Sequence, residues 1–115
     1  MIGDSDNRPW GSWHILDEGD GYQVKRIDVL PHSRLSYQTH QHRAEHWVVV
    51  IGKATCILDD VTCLLGPGDS LDIAVGQAHR ICNDTDEPLA IIEVQRGDYL
   101  GEDDIVRLED DFGRA

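Results

Sequence analysis

The sequence predicts an all-β fold, a small double-sheet jelly-roll barrel. Three observations lead there. From Arg34 onward, short runs rich in apolar and β-branched residues recur at roughly eight-to-twelve-residue spacing. Turn signals punctuate them: Gly52-Lys53, Asp59-Asp60, Gly66-Pro67-Gly68, Gly76-Gln77 and residues 84–88. No long stretch shows helical periodicity, which leaves a sandwich or barrel of short strands.

The elements follow in chain order. Residues 1–7 are polar and Gly/Asp-rich and are expected to form a flexible arm ahead of a single domain, residues 8–115. Trp10 and Trp13 come next, two of the three tryptophans in the chain, suited to plugging one end of a barrel or to burial at a dimer contact. Residues 13–16 read as a first strand, ended by the turn signal 17–21. Residues 22–30 read as a second, with Val24, Ile27 and Val29 inside and Lys25 and Arg26 outside, broken by Pro31-His32-Ser33. Further strands are expected at 35–39, 45–51, 54–58, 61–65, 70–73, 79–83 and 89–95. The tail, 101–109, carries acidic residues at its start, as the dipole of a short helical turn would favour.

Composition narrows the partners. The chain has 115 residues, enough for one domain with a real core. Its 22 Asp+Glu against 10 Lys+Arg give a net charge of −12, which works against nucleic acid or an anionic membrane surface. No apolar run approaches the ~18 residues that span a bilayer. The first residues lack the basic and apolar regions of a signal peptide, so a cytoplasmic location is expected. Three cysteines, an odd number, argue against a disulfide framework. Cys56 and Cys63 flank the Asp59-Asp60 turn, but counting outward makes them a hydrogen-bonded pair with Cα atoms about 5.5 Å apart, with no special proximity. They read as buried thiols that act as small apolar residues.

The chemistry concentrates in residues 38–47, Gln-Thr-His-Gln-His-Arg-Ala-Glu-His-Trp, which run straight into the apolar block 48–51. Imidazole, carboxylate and amide oxygen together suit zinc, manganese, iron, cobalt or nickel. One His-x-His pair alone would be read as solvated loop histidines. A second segment, 68–83, shifts the balance.

Together the two segments resemble the paired motifs of the cupin superfamily. Its first motif is Gly, five residues, His-x-His, three or four residues, Glu, six residues, Gly. Gln38, His40, Glu45 and Gly52 fit that spacing, with Gln38 in place of the first His and His32 in place of the opening Gly. Its second is Gly, five residues, Pro-x-Gly, two residues, His, three residues, Asn. Gly68, Gly76, His79 and Asn83 fall in register, and Ala74 stands where Pro is usual. In such a barrel alternate residues of a strand face one side, so Gln38, His40, Glu45 and His79 can converge from separate strands as metal ligands. His46 should face away from the site. His42 lies in the loop as a second-layer residue, an alternative ligand or a substrate contact.

The likeness narrows further. Residues 38–47, with Gln41 for the middle His, resemble the signature of type II phosphomannose isomerases, which usually form the C-terminal cupin part of bifunctional mannose-1-phosphate guanylyltransferases. Residues 8–12 and 93–107 resemble the flanks of the same domain, so the likeness runs from about Arg8 to Arg114. It implies a metal-dependent aldose–ketose isomerisation between mannose 6-phosphate and fructose 6-phosphate. One divalent metal ion per chain is implied, zinc first, with manganese, cobalt, nickel or iron as alternatives, held by Gln38, His40, Glu45 and His79. No Gly-rich nucleotide-binding segment is present, so synthesis of GDP-mannose is not expected.

Such a reaction needs a Lewis acid near the two oxygens and a base near the carbon. His42, Glu93 or metal-bound hydroxide could be that base. Arg34, Arg43 and Arg80 are the expected phosphate clamp, with Lys53 and Arg96 behind them, and Arg43 and Arg80 join His42 and Glu93 as the candidate catalytic residues. Each of the arginines also reads as an ordinary surface side chain. Two rivals stand beside the isomerase: a stand-alone cupin that binds metal and sugar without turnover, and a metal-dependent oxygenase, which would prefer two His and one carboxylate. A homodimer is expected, with Trp10, Trp13 and the segment to Leu16 covering an exposed sheet edge.

Overall fold

The computed structural model describes residues 2–112; Met1 of the expected arm and residues 113–115 of the expected domain lie outside them. Twelve strands follow one another, with no helix among the described residues. They are β1 (Ser5–Arg8), β2 (Gly11–Gly19), β3 (Tyr22–Val29), β4 (Ser33–Arg34), β5 (Tyr37–Thr39) and β6 (Arg43–Ile51). Then come β7 (Ala54–Leu58), β8 (Val61–Leu65), β9 (Ser70–Ile73), β10 (His79–Asn83), β11 (Leu89–Gly97) and β12 (Val106–Glu109). One sheet runs β1-β2-β3-β11-β6-β9 and the other β12-β5-β10-β7-β8, with β4 beside β10. Every pairing is antiparallel. This is the double-stranded β-helix the cadence of short runs predicts.

Alternation explains which residues face inward. On β6, Arg43, Glu45, Trp47 and Val49 are buried while Ala44, His46 and Val48 are less so. On β11, the buried set Ile91, Glu93 and Gln95 packs against it. The lower part of this inner face is apolar: Trp47, Val49, Ile73, Ile81 and Ile91 are each at most 2% exposed. Each such side chain contributes roughly 1.5–3 kcal/mol by leaving water. The upper part is polar, and the cavity described below lies there.

Four strands, β7 to β10, match the sequence expectation residue for residue. The Asp59-Asp60 turn has φ of 47° and 66°, the two left-handed residues that join twisted strands through a two-residue loop. It sets Cys56 opposite Cys63, both free thiols, and burial pushes the Cys56 thiol up to about 12. Gly52, the last residue of the first motif, has φ +83°, and a Cβ there would meet the Pro88 carbonyl oxygen at 2.2 Å. His32, in place of the opening Gly, takes φ 55°, a left-handed conformation histidine tolerates better than most residues. Ala74 keeps an N–H that proline would lack, and donates it to Gln77 Oε1 at 2.9 Å.

Four expectations are corrected. Ser5, Asp6 and Asn7, expected within the arm, form β1 together with Arg8 and pair with β2. The expected strand 35–39 is shortened to β5, Tyr37–Thr39, and β4 forms ahead of it at Ser33–Arg34. The expected helical turn of the tail is β12, which pairs with β5; the acidic side chain of Asp104 instead binds main-chain N–H groups of another loop. Lys25, expected outside, is 3% exposed, because it shares strand parity with Ile27 and Val29. Arg26 does face outward, paired with Asp28. Trp10 is buried in the core of its own chain and Trp13 packs beside it, the barrel-plug alternative.

Candidate metal centre

Three strands meet at the polar upper half of the barrel. Gln38 sits on β5 opposite His79, the first residue of β10. His40 follows β5 directly, and Glu45 is an inward residue of β6. Ligand atoms of His40, Glu45 and His79 all lie within 4.8 Å of one another, and each of the three residues is at most 3% exposed. Glu45 Oε2 is 3.3 Å from His40 Nε2, and Oε1 is 3.8 Å from His79 Nε2.

The rings are aimed by their other nitrogens. His40 Nδ1 donates to the Asp104 carbonyl at 2.6 Å, and His79 Nδ1 to the Gln77 carbonyl at 2.8 Å. Those bonds assign the protons to Nδ1 and leave both Nε2 lone pairs facing the cavity. Glu45 is held by Trp47 Nε1 at 2.9 Å and Arg43 Nε at 2.8 Å. Burial, then the Arg43 charge and His79, lowers the His40 pKa to about 4; burial lowers that of His79 too. Both rings are therefore neutral at pH 7, the form that binds a cation.

His79 Nε2 is buried without a hydrogen-bond partner, which is costly in a protein interior unless something accepts its lone pair. Two neutral imidazoles and a carboxylate, each oriented from behind, fit a divalent cation of the zinc, manganese, cobalt, nickel or iron type. Gln38 is at hand as a fourth donor. Its Nε2 lies 3.4 Å from His40 Nε2 while Oε1 accepts from Ser36 Oγ at 2.6 Å. Exchanging the amide O and N, which differ little in shape, would turn the oxygen toward the cluster and let Ser36 accept instead.

A second carboxyl stands beside this cluster. Glu93, 3% exposed, lines the same cavity and accepts from Gln95 Nε2 at 3.2 Å. Burial, followed by the Glu45 charge, pushes its pKa up to about 8. Lys25 and Glu102 complete this wall, joined Nζ to Oε1 at 2.8 Å. Burial opposes ionisation of Glu102, but Lys25 and Arg43 outweigh it and hold its carboxyl below the usual range.

Of the residues singled out from the sequence, Gln38, His40, Arg43, Glu45, His79, Arg80 and Glu93 share this cavity. His42 does not: it is exposed, 3.3 Å from Asp98 Oδ1 and edge-on to Tyr99. Arg34, expected in the phosphate clamp, lies outside the cavity wall and is held by Asp111 at 2.6 and 2.7 Å. Lys53 and Arg96 are exposed and also outside it. Arg80 lines the wall with its donors spent on the Leu35 carbonyl and on Glu109. His46 faces away, as expected, and pairs with Asp72 at 2.6 Å. Gln41 is exposed, so its replacement of histidine leaves the cluster untouched. Lys25, Asp104 and Glu102 were not anticipated; the parity of Lys25 with Ile27 and Val29 was the available signal for the first.

A two-sheet β-helix with a His/Glu/His cluster at its polar end defines a cupin. In keeping with that, a Klebsiella pneumoniae protein with a double-stranded β-helix domain superposes with a TM-score of 0.73 at 22% identity, over 84% of this chain and 82% of its own. Within that class, the chain belongs to the mannose-6-phosphate isomerase C-terminal family, whose model matches residues 4–110. The alginate biosynthesis protein AlgA of Pseudomonas aeruginosa is 55% identical over 108 residues, 94% of this chain and 22% of that protein. A mannose-1-phosphate guanylyltransferase of Escherichia coli is 51% identical over 108 residues, 94% and 23% respectively. The chain thus spans under a quarter of the length of these relatives.

Proposed function

We propose that the chain is a metal-dependent isomerase that interconverts mannose 6-phosphate and fructose 6-phosphate. The observation that carries the reading is the placement of Glu93 in one buried cavity with the His40, Glu45 and His79 donor cluster. Membership of the mannose-6-phosphate isomerase C-terminal family supports the substrate class.

In this reading His40, Glu45 and His79, with Gln38 as fourth donor, hold one divalent cation, zinc first and manganese, cobalt, nickel or iron as alternatives. When bound, such an ion draws charge from the two sugar oxygens at C1 and C2. The chain's own groups do the rest. Glu93 takes the C2 proton of the open-chain aldose, the cis-enediol forms on the sugar, and Glu93 returns the proton to C1. The hydroxyl proton passes from O2 to O1. A carboxyl lifted toward neutrality by burial suits both halves of that exchange. Arg43 holds Glu45 in place through its guanidinium and sets a positive charge beside the enediol oxygens. Trp47 and the apolar floor below it exclude water.

The reading includes a homodimer in the cytoplasm. β1 is an outer strand of its sheet, and unpaired edges favour a partner; light scattering showing a monomer at micromolar concentration would remove the dimer. The decisive test is a coupled assay supplying mannose 6-phosphate to metal-loaded protein. Turnover that disappears in Glu93→Gln is expected. Binding of the sugar phosphate without turnover would instead define a non-catalytic sugar-binding cupin, and oxygen uptake an oxygenase.

A further inference from the structure

Behind the Glu93 carboxyl runs a row of two glutamines. Gln95 follows Glu93 by two residues on β11, shares its inner face, and is 0% exposed. Its register partners are Gln23 on β3 and Glu45 on β6, so it stands between them in the middle of the sheet. Burying an amide costs free energy that an apolar side chain of similar length would avoid, unless both ends of the amide are bonded. Gln95 meets that condition: Gln23 Nε2 donates to its Oε1 at 3.0 Å, and its own Nε2 donates to Glu93 Oε1 at 3.2 Å. Neither glutamine lines the cavity; both stand outside its wall, with Glu93 in it.

The row has a direction. An amide has a donor end and an acceptor end, and Gln23 decides which end of Gln95 turns toward Glu93. With the Gln95 oxygen bonded to Gln23, its N–H faces the carboxyl. A general base is ionised before it takes a proton, and an ionised carboxylate only accepts. A donor at Oε1 suits that state and disfavours a proton on Oε1 afterwards. Reversed, the row would present the Gln95 oxygen and draw the proton to the back of the carboxyl, away from the sugar.

We infer that Gln95, its amide turned by Gln23, is a positioning residue that holds Glu93 Oε1 as an acceptor and so makes Oε2 the oxygen that exchanges the proton with the sugar. Oε2 takes the C2 proton while the C–H electron pair passes into the enediol, and gives the same proton back at C1. Gln95 itself touches no reacting atom. This role rests on the isomerase reading, whereas the hydrogen-bonded row does not.

The test compares variants that keep or reverse the row in the metal-loaded protein. Gln95→Met, which keeps the length and loses the donor, should lower kcat for mannose 6-phosphate about 10- to 100-fold with KM and metal content unchanged. Gln23→Glu offers only an acceptor, should turn Gln95 round, and should lower kcat likewise. Gln23→Lys offers only donors and should keep kcat near the native value. In a Gln95→Met background the two Gln23 variants should no longer differ, because their effect passes through Gln95. A packing role alone would make the two alike in either background. The row can also be read without turnover, as the NMR coupling across the hydrogen bond from the Gln95 side-chain nitrogen to the Glu93 carboxyl carbon. That coupling should be present in the native chain and in Gln23→Lys and lost in Gln23→Glu. An active isomerase whose kcat survives Gln95→Met, or whose kcat is equal in the two Gln23 variants, would overturn the positioning role while the isomerase reading stands. A native chain that shows the coupling but turns over no sugar would overturn the isomerase reading, and with it the role, while the row remains.

Discussion

His40 donates its Nδ1 proton to the main-chain carbonyl of Asp104, 2.6 Å away, and the carboxylate of the same Asp104 accepts from the N–H groups of Gln41 and His42 at 2.9 Å each. One residue of the tail thus fixes both the His40 ring and the loop that carries it into β6. Asp104→Ala would leave two main-chain donors without their acceptor and loosen the loop and the main-chain carbonyl that hold the ring. Metal affinity should fall roughly 10- to 100-fold, as for other groups that orient ligands from behind. Stability should fall by about 1–3 kcal/mol. Metal titration and thermal unfolding read the two effects separately; an unchanged affinity would show that β6 alone positions His40.

Metal removal gives a second measurement. A cation bound only by the folded state stabilises it by RT ln(1 + [metal]/Kd), about 2.7 kcal/mol at a hundredfold excess over Kd. Stripped protein should therefore melt lower and recover when zinc is returned. His79→Ala should melt at one temperature with or without metal, because it removes one of the three clustered ligands. A His79→Ala chain that still gains stability from zinc would place the ion elsewhere.

Acid–base balance in the cavity predicts opposed trends with pH in the stripped protein. His40 has a folded pKa of about 4 against an ordinary 6.5, so its contribution is complete above 6.5 and lost as pH falls toward 4. Glu93 has a folded pKa of about 8 against an ordinary 4.5, so its contribution is complete below 4.5 and lost as pH rises through 8. Between 6.5 and 8 only the second of these changes, and stability should drop on the order of 2 kcal/mol. Urea unfolding across that range checks it: Glu93→Gln should flatten the fall, and a fall that persists in this variant would assign it to another group.

The sequence made some parts of this molecule legible and hid others, for physical reasons. Strands β7 to β10 are bounded by Gly and Asp turns with a fixed backbone demand, such as the left-handed pair Asp59-Asp60, and their limits could be read directly. The meeting of Gln38, His40, Glu45 and His79 in one cavity was legible because motif spacing reflects strand spacing. The surroundings of those donors were not. Arg34 and Arg43 look alike in the chain, yet one bonds Asp111 at the surface and the other is buried against Glu45. That distinction depends on strand parity and on where the tail lies, and β12 was itself misread because its preceding acids resembled a helix start. His42 sits between two cavity residues, His40 and Arg43, but at a loop position that turns it out to Asp98.

Lys25 is the sharpest instance and carries the last prediction. Its ammonium is buried over the Trp13 ring, 4.8 Å from the centroid, and bonds Glu102 at 2.8 Å. It also opposes the rise of the Glu93 pKa, since a nearby positive charge favours the ionised carboxyl. Lys25→Met keeps most of the apolar stem and deletes the charge. Glu102 retains Arg43, at 3.5 Å, so the fold should survive with a loss of about 1–3 kcal/mol. Glu93 should then hold its proton to higher pH than in the native chain, and the pH at which isomerase activity rises should move up with it. The metal content should not change, because Lys25 touches none of the three clustered ligands. A carbon-detected titration of the Glu93 carboxyl, run beside the pH–rate profile, reads this directly. If both curves stay in place while stability falls, Lys25 serves the packing of β3 and leaves the acid–base group alone.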